Sequence, residues 1–136
     1  MAGNLKLEIV TPEEKTFSEE VDMVTLPGVE GEMGIYPNHI PLMTQIAAGE
    51  VVARVGNQEH YLAVGEGFVK VTGDNVSILT DMAIDADNID EAKAEEARKK
   101  AEARLQEKLS DEEAAVVAAA LAKSLAQLHV KRRRRG

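Results

Sequence analysis

The chain has 136 residues and a net charge of −8, with 44% hydrophobic and only 3% aromatic residues. This hydrophobic content is enough for a folded core and argues against a wholly disordered chain. The chain has no cysteine, which excludes disulfides, thiolate metal sites and a cysteine nucleophile. The scarcity of aromatic rings argues against the base-stacking platforms of single-stranded nucleic-acid binders.

The first part of the chain predicts short β-strands. Leu5, Leu7 and Ile9 alternate with polar residues, and later runs around residues 51–55, 61–63, 68–71 and 76–79 behave similarly. Gly56-Asn57-Gln58 and Gly73-Asp74-Asn75 separate these runs as hairpin turns. Short strands with regular turns are typical of a sandwich or a barrel, and the pattern alone does not separate the two.

Composition changes abruptly near residue 86. All four prolines and nine of the ten glycines precede that point, and Ala, Glu and Lys dominate after it. We therefore predict three segments: a β domain over 1–86, a helical segment over 87–130 and a basic tail over 131–136. Residues 1–86 hold 14 acidic and 4 basic residues, whereas the tail carries one lysine and four arginines.

The helical segment predicts two helices of about 20 residues. Asn88 is the expected cap of the first helix, and Ser110 with Glu113 forms a capping box for the second. The expected apolar stripes are Ala94, Ala97, Ala101 and Leu105 in the first helix, and Ala114, Val117, Leu121, Leu125 and Leu128 in the second. Because alanine buries little area, these helices hold each other weakly. The hairpin can be one that opens toward a partner or one that is permanently closed.

Catalytic motifs are missing from the sequence. His39, His60 and His129 lack the spacing of metal ligands, so we expect no metal site. There is no phosphate-binding loop and no G-x-S-x-G elbow. We expect a protein without catalytic residues. No apolar run approaches the roughly 18–20 residues that span a bilayer, so we also expect no direct membrane insertion.

The segment GEMGIYPNHIPL, residues 31–42, is expected to be a turn-rich loop leading into a strand. It closely resembles the signature of the epsilon subunits of F-type ATP synthases. Val10-Thr11-Pro12, residues 65–71, residues 89–94 and residues 121–128 agree with that family in order and spacing. The resemblance implies an α+β fold: an N-terminal flattened antiparallel β-sandwich followed by a C-terminal antiparallel two-helix hairpin.

The resemblance also implies a role and partners. Such a subunit is a non-catalytic part of the central stalk, and it couples the rotor to the membrane c-ring and inhibits ATP hydrolysis through its C-terminal helices. Glu30, Glu32 and His39 correspond to contacts with the gamma subunit and the ring; the alternative for the acidic turn is simple solvation. The implied location is the cytoplasmic face of a bacterial plasma membrane, or the stromal side of a thylakoid.

Some bacterial relatives bind ATP as a regulatory ligand in the folded hairpin. The positions that correspond to their ATP-binding residues are Ile89, Asp90, Lys93, Ala94, Lys100 and Lys123. Three of these are lysines at positions that correspond to arginines, and lysine lacks the bidentate fork of a guanidinium group. We therefore expect binding here, if any, to be weak. We expect no other cofactor.

The basic run consists of Lys131, Arg132, Arg133, Arg134 and Arg135. The resemblance implies that it anchors the helices among the alpha and beta subunits of the catalytic head, where beta presents an acidic loop. The alternatives are a solvated tail without a target, or a small nucleic-acid-binding or adaptor module that uses the same cations. The acidic body and the missing aromatics argue against nucleic acid as a partner.

Overall fold

The computed structural model describes residues 4–12, 15–38 and 40–135, without the side chains of residues 15, 16, 134 and 135. The described part begins with ten strands, which are followed by a short 3-10 helix, Ala86–Asn88, and two α-helices. The strands are β1 (Leu5–Val10), β2 (Lys15–Val21), β3 (Met23–Gly28), β4 (Gly31–Ile35), β5 (Leu42–Ile46), β6 (Gly49–Val55), β7 (Gln58–Val64), β8 (Gly67–Thr72), β9 (Asn75–Thr80) and β10 (Ala83–Asp85). The helices are α1 (Glu91–Leu105) and α2 (Asp111–Arg135).

The strands follow the order β10-β7-β6-β3-β5-β8-β9-β1-β2, and β4 pairs with β3. Strand β3 meets β5 at one residue pair, Gly28 with Ile46, and there the sheet folds over into two layers. The predicted β-sandwich followed by two helices is confirmed. Among the described strands the pairing is antiparallel except between β1 and β9, which are parallel. The long stretch of chain between these two strands provides the crossover that a parallel pair needs.

The sandwich core consists of aliphatic side chains from both layers. Leu5, Leu7 and Ile9 are fully buried in it, as their alternation predicts. Their partners include Val24, Leu26, Ile35, Ile46, Val51, Leu62, Val69, Val71, Val76 and Ile78. Each buried Leu, Ile or Val stabilises the fold by about 1.5–3 kcal/mol relative to an exposed side chain. Every described buried residue of this core lies between Leu5 and Ile78, so none of its buried members among the described residues comes from the helices.

The segment 31–42 differs from the expected loop. Its first five residues form β4, which pairs with β3, because Ile35 lies opposite Val24 and both face the core. Only residues 36–41 connect β4 to β5. Within that connection, Asn38 has a positive φ of 66° and its amide donates to the Asp74 carboxylate at 2.8 Å. The two predicted hairpin turns are confirmed, with positive φ at Gly56 and Gly73.

The helix boundaries correct two predictions. Asp90, not Asn88, caps α1: its carboxylate accepts the Lys93 amide at 3.1 Å, while Asn88 ends the 3-10 helix. Helix α2 has 25 residues and extends to Arg135, so the basic run continues the helix rather than forming a separate tail. The capping box at Ser110 and Glu113 is confirmed by two reciprocal hydrogen bonds of 3.1 Å. The bond from the Ser110 amide holds the pKa of Glu113 below its usual value.

The buried faces of the helices also differ from the predicted stripes. Ala97 is exposed and Arg98 takes its place between Ala94 and Ala101. In α2, Leu125 is 47% exposed. The predicted stripe assumed a single neighbour, whereas this helix packs against two, so its buried residues do not form one stripe. It contacts α1 on one side and strands β6 and β7 on the other. A second, smaller core lies at the latter contact and comprises Ala63, Ala86, Ile89, Ala126 and Val130.

Helix α2 is long and apolar enough, by length and composition alone, to cross a membrane, over the candidate span Asp111–Arg133. The helix begins with three acidic residues, and Lys123 interrupts its apolar stretch. A charge near the centre of a bilayer is costly, and α2 already packs on the sandwich. We therefore interpret α2 as a surface-packed helix.

We predict that a chain ending at Ala86 still folds as a cooperative β unit. The large core lies entirely within residues 5–78, so truncation removes only the helix side of the smaller core. Thermal unfolding followed by circular dichroism should show one cooperative transition at a lower temperature than the full chain. A broad, non-cooperative melt would show that the sandwich needs the helices in order to fold.

Candidate functional site

The predicted acidic turn lies at the tip of the β3–β4 hairpin. Glu30 is in the turn and Glu32 is on β4, and both are exposed. Their neighbour Val29 is also 55% exposed. The turn therefore offers two accessible carboxylates beside an apolar side chain. His39 lies outside the described residues.

The outer face of strands β5, β8 and β9 carries an apolar surface that the sequence analysis missed. Met43, Phe68 and Leu79 are 68%, 53% and 54% exposed. Phe68 lies opposite Leu79, and Leu79 opposite the partly buried Val10, so these side chains share one face. Met43 shares the face as well, because it is two residues from Gln45, the partner of Phe68. We call these four residues the outer patch.

A signal for the outer patch was present in the sequence. In the run Phe68-Val69-Lys70-Val71, the two valines are two residues apart and so lie on one face of the strand, which is predicted to be the buried face. Phe68 must then lie on the opposite, outer face. The structure shows this: Val69 and Val71 are fully buried. Apolar residues grouped on an exposed sheet face are typical of a protein-binding surface.

The residues of the predicted ATP motif have separate structural roles in this closed hairpin. Asp90 is the α1 cap, and Ile89 is only 4% exposed, in the smaller core. Lys100 is 78% exposed and pairs with Glu96 on α1 itself. Lys123, by contrast, pairs with Asp81 of the sandwich at 3.2 Å. The two lysines are thus engaged by different parts of the molecule.

The remaining members of that motif lie on α1. Ala94 is buried, whereas Lys93 is exposed. The structure does not gather the six residues into one pocket lined by all of them. ATP binding stays a prediction.

The described part of the basic run makes contacts within the chain. The Lys131 ammonium donates to the Ala86 carbonyl oxygen at 3.1 Å. Arg132 donates to Glu91 at 2.9 Å and to Glu95 at 2.7 Å, both on α1. These contacts join the last turns of α2 to the start of the helical segment.

Arg133 reaches the sandwich. Its Nη1 donates to Glu50 Oε1 at 2.6 Å, and its guanidinium lies 5.6 Å from the centre of the Tyr61 ring. The Glu50 side chain is only 8% exposed, and its Oε2 has no hydrogen-bond partner among the described protein atoms. Burial raises the pKa of Glu50, while the charges of Arg133 and His129 act in the opposite direction.

Comparison with known proteins covers nearly the whole chain. A family model described as "ATP synthase, Delta/Epsilon chain, beta-sandwich domain" matches residues 4–86, and another, "ATP synthase, Delta/Epsilon chain, long alpha-helix domain", matches residues 87–132. The ATP synthase epsilon chain of Dehalococcoides mccartyi is 48% identical over 134 residues, which are 98% of this chain and 96% of that relative. The chain belongs to the epsilon subunit family of F-type ATP synthases.

Further relatives of this epsilon family agree. The ATP synthase epsilon chain of Syntrophobacter fumaroxidans is 43% identical over 130 residues, which are 96% of this chain and 97% of that relative. A chain in the structure of the Euglena gracilis mitochondrial ATP synthase, "OSCP/F1/c-ring in rotational state 1", is 24% identical and has a TM-score of 0.78. That match covers 95% of this chain and 81% of the other, and it supports the fold.

Family membership confirms the resemblance found in the sequence. An epsilon subunit is a non-catalytic subunit of the central stalk, so the expectation of a protein that is not an enzyme is also confirmed. Its complex is associated with a membrane. The two matched ranges meet between residues 86 and 87, at the change in composition.

Proposed function

We propose that this chain joins the gamma subunit to the membrane c-ring during ATP synthesis and restrains ATP hydrolysis through its C-terminal helices. The observation that carries the proposal is the outer patch on the sandwich of an epsilon-family chain. Three exposed large apolar side chains on one sheet face are what a protein partner covers. We assign gamma to this face.

The acidic hairpin tip suits a second partner. Glu30 and Glu32 are both exposed, and they belong to a sandwich rich in acidic residues. We propose that the tip faces the c-ring, where basic groups on the polar loops would complement it. Surface charges of this kind add little affinity each but orient the encounter. His39 is proposed to lie near the gamma contact.

The C-terminal helices are proposed to enter the catalytic head, among the alpha and beta subunits. Two features support helices that can be released: the alanine-rich contact of α2 with the sandwich, which includes Ala63, Ala86 and Ala126, and the exposure of Val116 and Leu125 on α2. ATP, as a weak regulatory ligand, would favour the closed state if it binds there. The bacterial relatives support placement on the cytoplasmic face of a plasma membrane, rather than in a plastid.

No observation favours the nucleic-acid alternative. Lys131, Arg132 and Arg133 already have partners within the chain, and the body of the protein is acidic. A basic patch for phosphates requires free, clustered cations on one face.

The proposal is tested by sedimentation of this chain with purified gamma. We expect a one-to-one complex at micromolar concentrations, formed by the full chain and by the chain ending at Ala86 alike, because the outer patch precedes the helices. Failure of both chains to bind gamma would contradict the assignment.

A further inference from the structure

The C-terminal end of α2 has a structural role that the motif comparison did not assign. We propose that Lys131, Arg132 and Arg133 form a clamp that locks α2 onto the sandwich, with Arg133 held by Glu50 and Tyr61 as its latch. This inference goes beyond the proposed function, because it concerns the closed state of the chain on its own.

The clamp joins three separate parts of the chain. Lys131 reaches the carbonyl oxygen of Ala86, at the junction between sandwich and helices. Arg132 spans from α2 to two carboxylates on α1, Glu91 and Glu95. Glu95 also accepts from Arg98, and these arginine contacts hold the pKa of Glu95 below its usual value. The helices are therefore tied to each other as well as to the sandwich.

The latch is the strongest of these contacts on physical grounds. Glu50 is a carboxylate that is almost fully shielded from water, yet only one of its oxygens has a partner, Arg133. A buried carboxylate without a cation is far more costly than an exposed one. Losing Arg133 would leave Glu50 in that state for as long as α2 stays docked. Release of α2 would then return Glu50 to water, so the loss of Arg133 favours opening.

A second contact, nearer the start of α2, also holds the helix on the sandwich. Lys123 pairs with Asp81 beside Gly65, where a Cβ atom would lie only 2.1 Å from Asp81 Oδ1. Glycine therefore leaves the room in which the Asp81 carboxylate sits. Lys123 and Arg133 attach the same face of α2 to the sandwich, since both flank the buried Ala126 and Val130.

The test uses substitutions in the isolated full chain. Arg133→Met keeps the length and apolar stem of the side chain but removes its charge. Glu50→Gln keeps the shape of its side chain and removes the charge that must be compensated. Arg104→Met is the matched control, because Arg104 is a half-exposed arginine whose partners, Glu107 and Glu113, belong to the helical segment.

Opening is measured in two ways. Amide hydrogen exchange follows the last turns of α2, with β8 and β9 as the internal check that the sandwich is intact. Because the chain has no cysteine, Asn57→Cys and Ala118→Cys also provide a single spin-labelled pair between the sandwich and α2. Both positions are exposed, so the labels need not disturb the packing.

We expect Arg133→Met to increase the open population and the exchange of α2 about tenfold, with β8 and β9 unchanged. Glu50→Gln in the Arg133→Met background should return both measurements to within about threefold of the parent chain. Arg104→Met should leave both measurements unchanged. The clamp is contradicted if Arg133→Met behaves like Arg104→Met. It is also contradicted if Glu50→Gln gives no rescue, because a merely structural loss of arginine packing would not be reversed by neutralising Glu50.

Discussion

Replacing Phe68 with aspartate should weaken the binding of gamma by about 30-fold or more. Phe68 is the only aromatic member of the outer patch, and central aromatic residues often contribute 2 kcal/mol or more to a protein interface. A carboxylate at this position would have to be desolvated against the apolar side chains of Met43 and Leu79 when gamma binds. The fold should survive, because the Phe68 side chain is 53% exposed.

The measurement is a titration of gamma with labelled chain, followed by anisotropy. Val116→Asp is the matched control, since Val116 is 70% exposed on α2 and is not a member of the outer patch. It should bind gamma like the parent chain. Equal affinity of the Phe68→Asp and Val116→Asp variants would place the gamma contact elsewhere on the molecule.

The second large effect concerns ATP hydrolysis by a reconstituted complex. Deletion from Asn88 onward should raise hydrolysis about fivefold or more, the size of a typical coupling between two sites. The reason is that the deletion removes both helices, which are proposed to enter the catalytic head. If the deletion leaves hydrolysis unchanged, the inhibitory role fails for this protein and only the stalk-coupling role is left.

The arginine run makes a distinct contribution to the same measurement. Replacing residues 132–135 by alanine removes the proposed anchor on beta, and it also removes Arg132 and Arg133 from the clamp. Loss of the anchor raises hydrolysis, whereas loss of the clamp makes the helices more available for insertion and lowers it. We expect a net rise in hydrolysis that is smaller than the rise caused by the deletion. We also expect the parent chain to inhibit hydrolysis less at high salt, because salt screens the charges of the anchor. If the deletion raises hydrolysis and the arginine variant does not, loss of the anchor does not outweigh loss of the clamp, and the expected net rise is wrong.

Much of the fold follows from local patterns. The alternation of Leu5, Leu7 and Ile9 and the two glycine turns specify strands and hairpins because their causes are local: the pleat and the backbone conformation of glycine. Likewise, the capping box at Ser110 and Glu113 needs only residues three apart. The family signature then decided between a sandwich and a barrel, which the patterns had left open.

The errors arise where a contact is distant in sequence. Leu125 was expected in the buried stripe because the pattern assumed one neighbour for α2, whereas the helix packs on both α1 and the sandwich. The contacts of the basic run within the chain were also not anticipated. Its latch partner Glu50 is 83 residues away from Arg133, and no local rule connects the two. Segment 31–35 was expected to be a loop because its two glycines weaken a strand. Its pairing with β3, which the local pattern does not show, makes it a strand all the same.

The proposed connection of gamma to the membrane ring by this chain can be tested in an add-back experiment. Catalytic heads that contain gamma but lack an epsilon subunit are mixed with membranes that carry the c-ring, and the ATPase activity recovered with the membranes is measured. The parent chain should restore rebinding, whereas the Phe68→Asp variant and the variant with both Glu30→Lys and Glu32→Lys should not. If rebinding is equally complete without the chain, or with these variants, the chain does not connect gamma to the ring.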